Sequence, residues 1–294
     1  HARYGFKPVN HLVVVKSNLA RDPAVMEGLR HIFAASLTTL QTHAATIPPA
    51  APDKGWCVLD GAVLRGKVPG WPDLRAERLR LRLTATEVEL DLQGLRASSN
   101  PSDREVDDRL RSLMRLQSAD LRLRAIHDPG SGVLSLSGLR LDLSGGTRLD
   151  LDAEIRGADL SLPSLASGAV TRAALVWRSD GRLPRPVMDL AGEGLAGAAG
   201  DAAVEAARRE LARLVDALPG AALDDASRRA LAAVVGALPQ GRGKLTLTFV
   251  SEEGIGAARI AVAALSGDPL SPEALAALFE GAEITAAWQP GLAP

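Results

Sequence analysis

Apolar and polar residues alternate through much of the chain between residues 79 and 177. "LRLRLTATEVELDL" sets Leu79, Leu81 and Leu83 on one face and then Val88, Leu90 and Leu92 in the opposite phase. Period-two alternation marks a half-buried strand, so a turn at Thr84 to Glu87 predicts a short hairpin. "LSLSGLRLDLSGG", residues 134–146, moves its apolar set from even to odd positions across Gly138, and the same slip recurs at Gly94 and Gly157. A one-residue slip turns the apolar face to water unless the extra residue bulges out. Glycine accepts the positive φ that a bulge can demand. A glycine at the slip fits the end of one strand and the start of another equally well. Bulged strands bend and twist, so the first alternative predicts a curved sheet.

The same patterning extends to the turn at 145–147. If "GGT" is a three-residue loop, Leu143 faces Leu149, Leu141 faces Leu151 and Leu139 faces Ala153, and all six share one face. "TRAALVW" then reads as a strand running into the hairpin-type turn Asp180-Gly181, and Pro184 and Pro186 confine "RLPRPVMDL" to an edge or a loop. At 208–219 the periodicity changes. "RRELARLVDALP" recurs as "RRALAAVVGALP" at 228–239, and the two helices carry Val204, Leu211, Val215 and Leu218 in the first and Leu231, Val234, Val235 and Leu238 in the second at helical spacing. The short "GAALDDAS" between them predicts a helical hairpin over about 201–239 that covers the sheet. The chain returns to β with "KLTLTFV", "ARIAVAAL" and "EITAAW", interrupted by a short helix with Ser271 as N-cap, Pro272 at its first position and Gly281 past its end. The fold class expected is α+β: a curved antiparallel β-sheet with glycine bulges, covered by that helical hairpin.

"AATIPPAAPDKG", 44–55, is a Pro/Ala linker. It separates residues 1–43, a strand-helix segment or a targeting extension, from a single α+β domain over 56–294. Within the first segment "HLVVVK" reads as a strand, and "DPAVMEGLRHIF" as a helix with Asp22 at the N-cap and Pro23 at its first position. Arg30 and His31 before "IFAASLTTL", with "THAA" at 42–45, resemble a secretory signal starting at Met26, while an ordinary amphipathic helix fits the same residues. "YGFKPVNHLVVVKSNLARDPAVMEGLRHIF", residues 4–33, resembles a fragment from the closing part of type 2 periplasmic substrate-binding proteins, in the branch that includes 4,5-dihydroxyphthalate decarboxylase-like sequences. A fragment of that length holds no two-lobed binding site, so that family's function is not carried over.

Composition narrows the chemistry. With 294 residues, 46% of them hydrophobic, the chain can bury roughly three quarters of its unfolded surface. A net charge of −1 with both signs interspersed supplies no field for nucleic acid. Cys57 is the single cysteine, which excludes an intrachain disulfide and a multi-cysteine zinc site, and "GWCVLDG" gives it no cationic neighbour, so it reads as a small buried hydrophobe. "GEGLAG", 192–197, matches G-x-G-x-x-G but lacks the unbroken strand and the βαβ unit that seat a pyrophosphate, and it reads as a Gly/Ala connector. No cofactor is expected. His127 opens the loop-like "HDPGSG", no H-E-x-x-H or G-x-S-x-G occurs, and the pairs Asp107-Asp108 and Glu252-Glu253 read as solvated surface. No metal site is expected either. Arg75, Arg78, Arg80, Arg82, Arg104, Arg109, Arg111, Arg115, Arg122 and Arg124 form a basic region suited to lipid phosphates or an acidic partner. Cross-strand pairing with the neighbouring acids is the favoured alternative. Trp56, Trp71, Trp177 and Trp288 read as core anchors at strand ends. No apolar stretch reaches 18 residues, so no spanning helix is expected.

"LSLSGLRLDLSGG" and "RLDLDAEIRGADLSL" together give residues 56–177 a style that resembles the β segments of AsmA-like and related uncharacterised Gram-negative envelope proteins. What the resemblance implies is a periplasmic, non-enzymatic binding or scaffolding protein whose concave apolar face meets a lipid or an envelope protein. Leu139, Leu141, Leu149 and Leu151 are the candidate ligand-facing residues. Two other readings stay open: an interaction module that binds its partner through the 201–239 hairpin over a fully packed sheet, and an enzyme with dispersed site residues.

Overall fold

The computed structural model describes residues 8–9, 12–13, 37–42, 55–66, 73–98, 118–197, 199–265 and 270–291. The expected helix over "DPAVMEGLRHIF", most of the 44–55 linker, Trp71 and Arg104 to Arg115 lie outside the described residues. The fold is α+β with a curved antiparallel sheet. Two compact units divide the chain: His1–Ser144 with Asp159–Leu165, and Gly145–Ala158 with Ala166–Pro294.

The first unit holds the short pair β1 (Pro8–Val9) and β2 (Leu12–Val13), then β3 (Leu37–Thr42), β4 (Cys57–Gly66), β5 (Asp73–Leu83), β6 (Glu87–Ser98), β7 (Ala119–Asp128) and β8 (Val133–Leu143). From β3 to β8 each strand runs antiparallel to the next. The expected hairpin is there: Thr84 N–H donates to the Glu87 carbonyl at 2.8 Å, and the turn sets Leu83 against Val88, Leu81 against Leu90 and Leu79 against Leu92. Two of the three glycine slips are bulges. Gly94 has φ 60° where the β6/β7 register shifts between Leu92 and Leu95, and Gly138 has φ 63° where the β7/β8 register shifts. Each glycine absorbs the extra residue and lets the apolar row keep its face. Leu59, Leu79, Leu81, Val88, Leu92, Ala125 and Leu134 are buried along that row. Burying a leucine fully stabilises by about 1.5–3 kcal/mol, so this row is the principal source of the unit's stability.

The second unit holds β9 (Arg148–Arg156), β10 (Ala169–Asp180), β11 (Arg242–Gly256) and β12 (Ala282–Pro290), again antiparallel in sequence order. Between β9 and β10 the chain makes the short helix α1 (Leu162–Ser167); α2 (Pro184–Ala196), α3 (Asp201–Ala217) and α4 (Asp225–Ala237) separate β10 from β11. α5 (Ala257–Leu265) and α6 (Pro272–Leu278) precede β12. Gly157 is no bulge, because β9 stops at Arg156 and Gly157 starts a turn. The register shift in this unit falls instead between Val170 and Arg172 on β10.

Three other expectations are corrected here. "RLPRPVMDL" is neither edge nor loop: Pro184 opens α2, where the missing N–H of a first-turn proline has no intrahelical partner to lose. "ARIAVAAL" is helical rather than a strand, since its alanines favour a helix and Ile260 and Val262 fit either period. "GEGLAG" is the last part of α2 with its C-cap Gly197 and not a connector; Gly192 is buried where a Cβ would meet the Ala203 carbonyl oxygen of α3 at 1.9 Å, so only glycine allows that approach.

The helical hairpin forms as its repeat predicts. Asp224 caps α4 by accepting from Ser227 N–H at 2.6 Å, and Arg228 reaches back from α4 to the Val215 and Leu218 carbonyls at 2.7 and 2.8 Å, satisfying acceptors at the end of α3. α4 packs on β12, and α3 packs on α2 around Met188, Val204 and Ala207. The outer edge of β12 is occupied: Ile284 N–H donates to the Ala222 carbonyl at 2.7 Å and Ala286 N–H to Ser227 Oγ at 2.9 Å. Pairing an edge in this way removes a template for unwanted strand addition. Ser271 accepts from Ala274 N–H and caps α6 as expected.

Candidate functional site

The four candidate leucines sit in both units. In the first, Leu139 and Leu141 lie on β8, half-buried, with Leu141 across from Leu121 and Leu139 next to the Gly138 bulge. In the second, Leu149 and Leu151 lie on β9, also half-buried, across from Trp177 and Leu175. Register carries that second row onward, from Leu175 to Leu247 and from Trp177 through Leu245 to Trp288. Phe249 and Ile284 extend it one step further along the strands. Leu149, Leu151, Leu175, Trp177, Leu247, Phe249 and Trp288 are all half-buried. Trp177 and Trp288 stack with ring centroids 6.4 Å apart and planes at 25°. The second unit thus presents leucines and aromatics on one sheet face, incompletely covered. Phe249, Trp177 and Trp288 were missing from the sequence-based site. The signal for Phe249 and Trp288 is the alternation of "KLTLTFV" and "EITAAW" in phase with the leucines, whereas Trp177 ends "TRAALVW" and is placed by its pairing with Leu149.

The polar side of the first unit is organised in rows across β5, β6 and β7. Arg82 Nη2 donates to Glu89 Oε1 at 2.6 Å, and Arg124 Nε donates to Glu87 Oε1 at 2.6 Å. The hydrogen bond from Arg124 holds the Glu87 carboxyl below its usual range. In the adjacent row Asp91 lies between Arg80 and Arg122 at 3.8 and 3.9 Å. The guanidinium of Arg80 rests 4.7 Å from the centroid of the Trp56 ring, and that of Arg82 is 5.4 Å from it. Trp56 is therefore a half-buried platform for arginines rather than a core anchor. Trp56, Arg80, Asp91, Arg122 and Ser137 line a cleft of about 590 Å³. Most of the described arginines of the basic region are paired with acids, as the favoured alternative expects: Arg78 with Asp60, Arg80 and Arg122 with Asp91, Arg82 and Arg124 with Glu87 and Glu89.

Cys57, His127 and Asp128 have structural roles. Cys57 is buried on β4, and desolvation pushes its thiol up to about 11, which keeps it protonated and inert at neutral pH. His127 is the penultimate residue of β7, not a loop residue, and its N–H donates to the Thr86 carbonyl. The loop after it is set by Asp128, which accepts from Ser131 Oγ at 2.7 Å and from Gly130 N–H at 2.9 Å. Among the described residues no three His, Cys, Asp or Glu side chains gather as a metal site. No described helix is long and apolar enough to cross a membrane. A second cleft, of about 390 Å³, lies between α3 and α4 and is lined by Arg208, Arg209, Ala212, Asp216 and Ala232.

No family model matches the chain, and no curated protein matches it.

Proposed function

We propose that the protein is a non-enzymatic binding protein of the bacterial envelope that holds an apolar ligand or lipid on the half-buried sheet face of its second unit. The observation that carries this reading is the row Leu149, Leu151, Leu175, Trp177, Leu247, Phe249 and Trp288, which is apolar throughout and incompletely covered. Contiguous apolar surface of this kind marks ligand and partner sites, because leaving it in water forfeits about 25 cal/mol for each Å². Leu139 and Leu141, half-buried on β8, enter the proposal as a face of the first unit. The envelope location rests on the resemblance of residues 56–177 to AsmA-like proteins.

The test is extraction of the protein, purified without detergent, with organic solvent. The expected result is co-purifying lipid, depleted in a Leu151→Asn, Trp177→Ser double variant that keeps the wild-type far-UV spectrum. Lipid-free wild-type protein that also fails to take up an added apolar fluorophore contradicts the reading. A second reading, partner binding by the helical hairpin, is favoured by the cleft between α3 and α4 and by Leu211, 38% exposed on α3. Loss of a captured partner on replacing Leu211 by Ser, with no bound lipid, would support that reading instead.

A further inference from the structure

Two neighbouring rows on the polar face of the first unit have the same composition in type and differ in bonding. Arg82 and Arg124 share Glu87 and Glu89 through 2.6 Å hydrogen bonds, two cations against two anions. Arg80 and Arg122 share only Asp91, at 3.8 and 3.9 Å, and neither guanidinium makes a hydrogen bond among the described residues. That row carries an excess of one positive charge. Arg140 lies across from Arg122 on β8, adds the same sign and has a partner of its own. Asp91 Oδ1 is buried without a hydrogen-bond partner, while Oδ2 accepts only a long bond from Gln93 Nε2 at 3.4 Å. Both arginines line the cleft of about 590 Å³, with Trp56 beneath Arg80 and Ser137 on the β8 side.

We propose that Arg80 and Arg122, held on either side of Asp91, form a binding site for a monoanionic oxyanion, a carboxylate or a phosphodiester group. The guanidinium fork matches the two oxygens of either group. Trp56 fixes the plane of Arg80 by cation–π contact, so little side-chain freedom remains to be lost on binding. Asp91 is the counter-charge that keeps the two arginines together in the empty site; it opposes an entering anion by charge and leaves the guanidinium N–H groups free of its own hydrogen bonds. The site is independent of the apolar-face reading and stands or falls without it.

The experiment follows the arginine Nε–H signals of the intact, ¹⁵N-labelled chain while dimethyl phosphate or sodium acetate is added at constant ionic strength. The expected result is saturable movement of the Arg80 and Arg122 signals, with that of Arg82, which does not line the cleft, unmoved. The anion that saturates at lower concentration identifies the group. Asp91→Asn removes the opposing charge and lowers the apparent Kd about tenfold, whereas Arg122→Gln removes a charge-assisted donor and raises it about tenfold. An unsaturable drift shared by all arginines, or an Asp91→Asn variant with an unchanged Kd, overturns the proposal.

Discussion

In the first unit Leu79 and Leu81 are 2% exposed and Leu134 is 1% exposed, while in the second Leu149, Leu151, Leu175 and Trp177 stay half-buried in strands of the same alternating pattern. The strands of the two units share a period, and the row through Leu79 and Leu81 is covered more fully than the row through Leu149, Leu151 and Leu175. In the second unit a buried cluster lies between helices, where Met188, Val204 and Ala207 meet and Gly192 touches the backbone of α3. Alternation fixes which face is apolar; the amount of that face removed from water depends on what packs over it. A half-covered apolar face stabilises the fold less and remains available to a ligand.

Truncation of single leucines should expose this difference most strongly. Leu79→Ala in the first unit is expected to cost about 3 kcal/mol in urea unfolding, in the range for a fully buried leucine that leaves a cavity. An effect under about 1 kcal/mol would break the comparison, because it would make the first face as loosely covered as the second. Gly192→Val comes next. Its side chain meets the Ala203 carbonyl and should cost about 2 kcal/mol by overpacking. Gly194→Ala, two residues along α2 with open space at its Cβ, serves as its control and should be neutral or slightly stabilising. Leu151→Ala should cost only about 1 kcal/mol, since a half-buried side chain gives up less transfer free energy and leaves no closed cavity.

Acid gives the smallest effect, and it is shared by both units. The carboxyls of Asp128, Asp159 and Asp224 are all held below their usual value: Asp128 by the Ser131 hydroxyl, Asp159 by that of Ser161, and Asp224 by the Ser227 N–H. A folded-state value below the unfolded one means that their stabilisation is present above the unfolded value of 3.8 and is lost as the pH falls through the folded value. The urea midpoint should therefore be insensitive to these groups between pH 7 and pH 5 and should drop below about pH 4. Replacing Asp224 by Asn, which still caps a helix, should flatten that drop.

What could be read from the chain follows the same physics. The Thr84 hairpin and the phase slips at Gly94 and Gly138 were legible because each is local, a phase change with a glycine or a turn beside it, while the choice between bulge and strand break was left open. Gly157 showed the same signature and is a strand end, since the pattern alone does not distinguish a slipped strand from a new one. α5 carries a strand-like pattern because Ile260 and Val262 lie two apart and the alanines around them fit any period. Pro184 and Pro186 sit in the first turn of α2, which proline tolerates although it is excluded from a helix interior. The arginine rows were half visible: once the hairpin is placed, Arg82 falls opposite Glu89 and Arg80 opposite Asp91. The platform role of Trp56 was not visible, since it depends on β4 lying beside β5. Half-burial of the Leu149 row was equally out of reach, because it depends on what packs over the sheet face rather than on any residue of β9.

The most direct test of the half-covered apolar face is native mass spectrometry of the full chain, isolated without detergent, compared with its Leu151→Asn, Trp177→Ser variant. The account predicts discrete adducts of apolar ligand mass on the wild type that are reduced or absent in the variant. A bare polypeptide mass for both, unchanged after incubation with phospholipid vesicles, would contradict it.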